Sequence, residues 1–434
     1  MKRLFYTLLF FLPCMLIACG GSDDTPDGDN NPPVVAPPSE EPVDSRLLYN
    51  GIRLPEQWPP VRSSSSELEK GMSPFYLSDK PSVINISVGR QLFVDNFLIE
   101  STNLKRTFYY PEYYSGNPIL TPEQDWEKTG TKGAAFAAPF SDGVWYDEKE
   151  GKYKMWYMAG GGSYATSGAG VTCYAESTDG IHWTKPTLSV VAGTNIVDYN
   201  SERDASVIWL DKQESNASKR YKMFLVARES GKWRYHYKTS PDGKVWRAAV
   251  QSEAIADRST VYKNPFRNVW VYSMRHNVRV DANKLVRARD YNENTDPEAG
   301  TKKAEALLSA FWFGPWANEQ HHTDYPNIAP AIYNQDATPY ESIMLGFFSV
   351  WQGPENDVCA SDNVIKRNQV MVGYSRDGYS WFREDMNPFH AVNTTTSDAW
   401  NQGNLQSVAG APLIVGDKLY FYLSGRRLRG TQEI

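Results

Sequence analysis

Three aspartates stand at equivalent places in the sequence, each directly before a short apolar segment. Asp142 precedes GVWYD, Asp204 precedes ASVIWLD and Asp257 precedes RSTVYKNP. Carboxylates that meet at one place raise each other's pKa, so that one holds a proton while another stays ionised. If the three segments are adjacent strands, the aspartates form a group suited to acid–base chemistry. The alternative is that Asp begins each strand only as a turn former.

The strands that would position these aspartates belong to a sequence repeat. Residues 203–246 alternate in the manner of three strands joined by two turns, and residues 141–183 follow the same order. The turn Ser-x-Asp-Gly-x-x-Trp closes each unit and occurs at Ser177–Trp183, Ser240–Trp246 and Ser375–Trp381. The first interval is 63 residues and the second is 135. We therefore predict that one copy of the turn is eroded near residue 308.

Repeated units of four short antiparallel strands indicate an all-β fold, a five-bladed β-propeller, because one blade alone cannot bury both of its faces. The segment RQLFVDNFLIES (residues 90–101) is predicted to be a strand, whereas residues 403–427 supply only two strands of a last blade. Either the strand around residues 93–99 completes that blade or the open reading frame is shortened.

The N-terminus predicts export and attachment to a membrane. Residues 1–19 have a basic start, an apolar run and the sequence Leu-Ile-Ala-Cys, which resembles a bacterial lipoprotein signal; the alternative is an ordinary secretory signal or membrane anchor. The resemblance implies that Cys19 is lipidated and that the address is the outer membrane. Residues 20–82 are predicted to be a flexible tether and lead-in, and residues 83–434 the propeller. No disulfide is predicted between Cys173 and Cys359.

The composition indicates which classes of partner to expect. The net charge is −6 and no long basic run occurs, so we expect no nucleic-acid partner. With 26 Tyr, 18 Phe and 14 Trp, the chain can bury a large core and still expose aromatic rings. Such rings on a slightly acidic protein favour neutral sugars as ligands.

With these residues in place, the chain resembles the five-bladed β-propeller glycoside hydrolases of families 32, 43 and 68. Arg203-Asp204 resembles the Arg-Asp-Pro motif of family 32, with Ala205 in place of Pro. The resemblance implies that Asp204 stabilises an oxocarbenium-like transition state and that Asp142 is the nucleophile or base. Two further family motifs, Trp-Met-Asn-Asp-Pro-Asn-Gly and Glu-Cys, are absent from the sequence, so fructan specificity is not carried over.

The general acid has two candidates. Asp257 stands where the resemblance implies a glutamate in the third blade. Glu341 lies in the apolar run PYESIMLGFFSVW, where burial would raise its pKa as an acid requires. The alternative for Glu341 is a position on an outer strand, satisfied by a neighbouring arginine.

Residues 312–336 read as a loop that reaches the channel mouth. Trp312 and Trp316 are predicted to form a sugar platform, with His322, Arg203 and Arg258 as further substrate contacts. His321, His322 and Asp324 could also bind a metal, but adjacent histidines point apart on a strand, so loop packing or substrate contact is favoured. We expect no cofactor to be required, and a structural calcium ion is compatible with the fold.

Three functions are consistent with these features. The favoured one is a tethered hydrolase of an oligo- or polysaccharide. The second is a glycan-binding lipoprotein of the same fold without catalytic activity. The third is a glycan phosphorylase related to family 130, in which Arg203 and Arg258 would form the phosphate site. Because one fold hosts many functions, the geometry of the site has to decide among them.

Overall fold

Consecutive antiparallel sheets build a β-propeller in this chain. The computed structural model describes residues 44–128, 135–165, 170–199, 201–282, 284–306, 308–396 and 399–427. The predicted signal sequence, Cys19 and most of the predicted tether lie outside the described residues.

The first two sheets run from residue 137 to residue 251. In the first sheet β1 and β2 both pair with β3, which is followed by β4 and β5, and the second sheet has the order β6-β7-β8-β9. Their strands are β1 (Ala137–Ala138), β2 (Val144–Asp147), β3 (Lys152–Ala159), β4 (Val171–Ser177), β5 (Ile196–Asp198), β6 (Glu202–Leu210), β7 (Tyr221–Glu229), β8 (Lys232–Ser240) and β9 (Arg247–Gln251).

The third and fourth sheets follow in the same manner. The third sheet has the order β10-β11-β12-β13 and the fourth has the order β14-β15-β16. Their strands are β10 (Thr260–Asn264), β11 (Val269–Arg279), β12 (Leu285–Asn294), β13 (Ala310–Phe313), β14 (Ala331–Tyr340), β15 (Ile343–Gly353) and β16 (Arg367–Ser375).

The C-terminal strands form two smaller sheets, in which β17 pairs with β20 and β18 with β19. These strands are β17 (Gly403–Val408), β18 (Leu413–Val415), β19 (Lys418–Tyr420) and β20 (Leu423–Arg426). Four sheets of three or more strands are thus seen in the described part of the chain, where five blades were predicted. The helices are short: α1 (Ser64–Glu67), α2 (Asp125–Lys128), α3 (Pro297–Lys303) and α4 (Asn356–Asp362), with 3-10 turns at Phe75–Leu77, Gly162–Tyr164 and Ala217–Lys219.

The first strands of successive sheets lie side by side around the centre. The backbone N–H of Ile208 in β6 donates to the carbonyl of Asp142, 2.6 Å away, and the hydroxyl of Thr260 in β10 donates to the carbonyl of Gln335 in β14. Asp142 and Asp257 precede β2 and β10, and Asp204 is the third residue of β6.

The repeated turn follows β4, β8 and β16, and in each copy a hydrogen bond links it to a neighbouring sheet. In each of its three copies the serine Oγ accepts the glycine N–H, at 2.8 to 2.9 Å, and the aspartate Oδ1 accepts the N–H groups that follow. The backbone just exposed by the turn then accepts a bond from the preceding sheet. Trp156 donates to Gly243 O (2.6 Å), Tyr422 to Gly180 O (2.8 Å) and Trp312 to Tyr379 O (3.0 Å).

The missing copy of the turn is not near residue 308, as predicted, but at Asn294–Asp296. The Asp296 N–H donates to Asn294 Oδ1 (3.0 Å), which matches the role of serine in the other copies. Pro297 replaces the glycine and starts α3, whose first turn is capped by Asp296 accepting from the Ala299 N–H (2.7 Å). Helix α3 packs on β8 and β9 of the second sheet, so this joint also connects to the preceding sheet.

The strand predicted at residues 90–101 does not form. Asp95 is fully buried, accepts the N–H of Phe97 (3.0 Å) and forms an ion pair with Arg376 (2.8 Å). This Asx turn bends the backbone away from a ladder, so the apolar pattern was misread as a strand. The lead-in instead packs on the blades, with Tyr76 buried beside Arg376 and Trp58 in contact with Tyr379.

No helix in the described residues is long and apolar enough to cross a membrane.

The joint between the first two sheets can be tested at two glycines. Gly243 and Gly231 both have positive φ, 78° and 80°, so alanine is strained at either position. A Cβ at Gly243 would collide with the buried ring of Trp156, whereas Gly231 has open space around it. We expect Gly231→Ala to lower the free energy of unfolding by about 1–2 kcal/mol and Gly243→Ala by roughly 1–3 kcal/mol more.

Urea denaturation of both variants measures this difference. Equal losses of stability would show that Trp156 does not hold the joint.

Candidate functional site

Asp142 and Arg203 form a buried ion pair at the start of the first two inner strands. Arg203 Nη2 donates to Asp142 Oδ1 at 2.7 Å and its Nη1 donates to Thr172 Oγ1 at 2.6 Å. The side chains are 0% and 1% exposed. Asp142 Oδ2 is also buried and has no hydrogen-bond partner in the described part of the chain. Burial raises the pKa of Asp142, more than the Arg203 charge lowers it.

A second buried aspartate of the same sheet shows what full pairing does. Asp147 binds Arg220 through both oxygens (2.9 and 2.6 Å), Lys154 (3.0 Å) and the hydroxyl of Tyr221. Burial opposes ionisation here too, but hydrogen bonds from Arg220, Tyr221 and Lys154 lower the pKa of Asp147 overall. Asp142 is therefore an incompletely paired carboxyl in a fold that can pair such groups well.

The other two inner-strand aspartates face arginines. Asp204 Oδ2 accepts the backbone N–H of Arg258 (2.8 Å), and its Oδ1 lies 3.3 Å from Arg258 Nη2. Asp257 forms an ion pair with Arg275. The charges of Asp204 and Arg258 both act on Asp142. The structure thus gathers Asp142, Asp204 and their arginines at one end of the inner strands, with Asp257 beside them.

We call this end of the inner strands, where Asp142, Asp204 and Asp257 lie, the mouth. Cations and aromatic rings alternate across it. The Arg258 guanidinium lies 5.3 Å from the ring centre of Phe140 and 5.5 Å from that of Tyr333, and Arg287 covers Tyr333 at 4.9 Å. These are cation–π distances. Phe140 and Arg258 have left-handed backbones, with φ of 43° and 55°. Such conformations cost about 1–3 kcal/mol each and cluster at functional sites.

A cavity of about 200 Å³ opens beside the mouth between the third and fourth sheets. Arg275 and Arg287 line it from β11 and β12, and Tyr333 and Trp351 line it from β14 and β15. Lys366 borders the other side. The alternation of β12 places Arg287 and Arg289 on one face, and the buried Arg289 braces the mouth by donating to the Arg258 carbonyl at 3.0 Å.

Asp336 lies in β14, three residues beyond Tyr333 on the inner strand. Its Oδ2 accepts from Asn334 Nδ2 and from the Val408 N–H, both at 3.1 Å. Burial raises its pKa from 3.8 to about 6. Asn334 also donates to Ser141 Oγ (3.3 Å), which links this acid to the residue next to Asp142.

Glu341 lies away from these residues, in the β14–β15 hairpin turn. It accepts the Arg90 N–H (2.9 Å) and forms an ion pair with the Arg90 guanidinium (2.7 Å), which lowers the pKa of Glu341. The expectation that an apolar run would raise its pKa is wrong, because the turn turns this side chain outward toward Arg90. The alternative of a glutamate satisfied by an arginine is what the structure has.

The predicted sugar platform is also wrong. Trp312 is fully buried and donates to the Tyr379 carbonyl, and Trp316 is 8% exposed and packs on Phe313 and Phe348. Trp312 belongs to the core because residues 310–313 form β13 rather than a loop, and Trp316 follows in a segment that bridges Lys70. His322 is half-buried and accepts the Asp324 N–H (3.1 Å); burial, with the Arg367 charge, lowers its pKa.

Sequence reasoning missed Arg275, Arg287, Tyr333 and Lys366. The spacing Arg287-x-Arg289 within an apolar strand was a usable signal, because two cations on one strand face need a reason. Tyr333 has no such signal, because a single tyrosine in an apolar strand is indistinguishable from a core residue in the sequence.

Within the described ranges, no cluster of His, Cys, Asp and Glu side chains is arranged to hold a metal ion. His321 illustrates why, since its Nδ1 lies 2.9 Å from the Pro326 carbonyl and is not directed toward Asp324.

No family model matches the chain, and no curated protein is similar to it in sequence. Solved structures of similar architecture include a glycoside hydrolase, with 12% identity over 72% of this chain and 94% of that chain and a TM-score of 0.43. An N-acetylgalactosamine deacetylase from F. plautii is 12% identical over 67% of this chain and 81% of that chain, with a TM-score of 0.38. The fructofuranosidase of Schwanniomyces occidentalis is 14% identical over 70% and 52%, with a TM-score of 0.40.

The raised pKa of Asp336 predicts a pH dependence of stability. Because the folded protein binds this proton more tightly than the unfolded chain, the group stabilises the fold below about pH 4. It loses that contribution as the pH rises to about 6. At about 1.4 kcal/mol per pKa unit the free energy of unfolding falls by roughly 3 kcal/mol over this window. Asp336→Asn should remove that component of the slope.

Urea denaturation at pH 4, 5, 6 and 7 measures the slope, with the exposed Asp417→Asn as control. An unchanged slope in Asp336→Asn would contradict the assignment.

Proposed function

We propose that this protein hydrolyses a glycosidic bond at the mouth formed by Asp142, Asp204 and Asp257. The observation that carries the proposal is the contrast between Asp142 and Asp204 on neighbouring inner strands. Asp142 is buried with a raised pKa, and its Oδ2 has no hydrogen-bond partner among the described residues, whereas Asp204 is 16% exposed and bound to Arg258. Glycoside cleavage needs two carboxyl groups in such different surroundings.

The surroundings suggest a role for each group. Asp142 is proposed as the group that exchanges a proton, through Oδ2, the oxygen that Arg203 does not bond. Asp204 and Asp257 each face an arginine, which suits one of them to face the positive charge that develops on the sugar and the other to act as base or nucleophile. This assignment gives Asp142 the acid role first expected of Asp257 or Glu341.

The propeller itself is proposed to have five blades of the family 32 and 43 type. β17 is the inner strand of the fifth blade in this proposal, because the Ser407 and Val408 N–H groups donate to Ser349 Oγ (2.9 Å) and Asp336 Oδ2 (3.1 Å) of the fourth sheet. The Phe140 N–H donates in turn to Ser424 Oγ (2.9 Å) in β20, which supports closure onto the first sheet.

One observation favours a second function, glycan binding without catalysis. Asp142 and Arg203 are both closed off from solvent, as a purely structural pair would be. The phosphorylase alternative is weakened for the residues first considered, because Arg203 and Arg258 are already paired with Asp142 and Asp204.

Two asparagine variants separate catalysis from binding. Asp142→Asn and Asp204→Asn should each lower the rate of glycoside hydrolysis by about 10²- to 10⁴-fold, because a positioned acid, base or stabilising charge is lost. The matched control is Glu341→Gln, which alters a carboxylate held by Arg90 outside the mouth and should leave the rate unchanged. Products released from a panel of plant, algal and microbial glycans provide the measurement.

Sugar binding without product from any glycan would support the binding function instead. Full activity in both Asn variants would remove these residues from the mechanism.

A cysteine variant tests the proposed cellular location of the protein. We propose an outer-membrane lipoprotein anchored through Cys19, on the motif Leu-Ile-Ala-Cys after a basic, apolar leader. Cys19→Ser should abolish palmitate incorporation and release the protein from the membrane fraction, while Cys359→Ser should change neither. Labelling that persists in Cys19→Ser would refute the anchor.

A further inference from the structure

The cavity beside the mouth is unusual in its charge. Three of its lining side chains are cations, Arg275, Arg287 and Lys366, and the acidic lining residue is the exposed Glu355. Arg275 is neutralised by Asp257. Among the residues that the structure describes, no carboxylate oxygen lies within 4.0 Å of Arg287 or Lys366, the distance limit for an ion pair. The cavity therefore carries positive charge that the protein does not balance.

Arg287 is a cation of this cavity with an unpartnered donor, Nη1, which is buried and has no hydrogen-bond partner in the described part of the chain. A buried charged donor left without a partner costs more than 1–3 kcal/mol, roughly the penalty of a neutral one. The guanidinium plane rests on the Tyr333 ring, so it cannot turn away without losing a cation–π contact. An incoming oxyanion would satisfy this donor at little reorganisation cost.

The neighbouring groups respond to the same field. Burial tends to raise the pKa of Tyr333, but the charges of Arg258, Lys366 and Arg287 outweigh it and the pKa is lowered. Burial and the charge of Arg287 together lower the pKa of Arg275 to about 10. Both shifts have the cause expected where cations crowd one space, and both would be relieved by a bound anion.

Size and wall chemistry narrow the ligand. At about 200 Å³ the cavity is smaller than the ~300–1,000 Å³ typical of pockets for drug-sized ligands, a size that suits one sugar ring. Trp351 and Leu285 supply apolar surface on which a ring face can pack, and Asn277 adds a polar group.

We propose that this cavity binds one acidic sugar unit of a glycan, with its oxyanion on Arg287 and Lys366 and its ring against Trp351. The proposal rests on the proposed function in taking a glycan as the ligand, and it replaces the neutral sugars expected from composition. The oxyanion is a carboxylate or a sulfate, since both present oxygens to a guanidinium fork.

The test uses the full chain in detergent and measures binding, not turnover. Oligosaccharides that contain a uronic acid or a sulfated sugar are titrated calorimetrically beside their neutral counterparts of the same linkage. We expect an acidic ligand to bind at least tenfold more tightly than its counterpart. Arg287→Met and Lys366→Met should each reduce that affinity by roughly tenfold or more, and Lys366→Arg should retain it.

The matched control is Arg247→Met, an exposed arginine on β9, which should change nothing. Thermal melting of every variant checks folding, and Lys366, being half-buried, keeps the test open if Arg287→Met unfolds. Uronate and sulfate ligands identify which oxyanion is taken. Equal affinity for acidic and neutral ligands, or affinity unaffected in both Met variants, would overturn the proposal.

Inorganic phosphate is titrated as a separate arm. Phosphate binding that depends on Arg287, with no acidic glycan bound, would also overturn the proposal in favour of a free-anion site. Binding of acidic glycans without release of product would overturn hydrolysis but leave this cavity's assignment standing. Hydrolysis of neutral glycans only, at a rate unchanged in Arg287→Met, would overturn the cavity's assignment but leave the proposed hydrolysis standing.

Discussion

The ion pair between Asp142 and Arg203 is the constraint on which the mouth depends. Both side chains are shut away from water, so removing Asp142 would leave the buried Arg203 charge unpaired, at a cost of about 3–5 kcal/mol. The pair also fixes the relative position of β2 and β6, because Arg203 bonds Thr172 of the first sheet as well as Asp142. The same contact satisfies Oδ1 of Asp142, while its Oδ2 has no partner in the part of the chain that the structure describes. Geometry that holds the first two sheets together therefore also creates the carboxyl group with a raised pKa.

Next to this pair, the mouth is built from charged side chains that alternate with aromatic rings. Asp204 accepts the backbone N–H of Arg258, a residue with a left-handed φ. Arg258 then bridges Phe140 of the first sheet and Tyr333 of the fourth. Each of these residues lies at or near the start of an inner strand, so the site is assembled by the ring and not by any one sheet. Local distortion of one sheet would be felt across the others.

Much of this could be predicted from the sequence, for identifiable reasons. The inner strands and the first-sheet and second-sheet aspartates were accessible because Asp142 and Asp204 sit at the same place in a repeat. The cluster of Arg275, Arg287 and Tyr333 was not accessible, because three strands from two sheets bring it together. Asp95 misled because its apolar neighbours imitate a strand, while its partner, Arg376, is 281 residues away. Trp312 misled because aromatic content alone does not distinguish a core from a surface.

The turn after β12 has a consequence for how the propeller tolerates added chain. Three copies of the repeated turn are tight, whereas the copy after β12 has Pro297 in place of glycine and continues into the two-turn helix α3. Helix α3 lies between β12 and β13, and the third sheet nevertheless keeps the order β10-β11-β12-β13. The length of chain between these two strands is thus uncoupled from the order of the sheet. The segment after β12 is consequently a suitable place to insert a peptide or reporter domain, since the sheet already accommodates extra chain there.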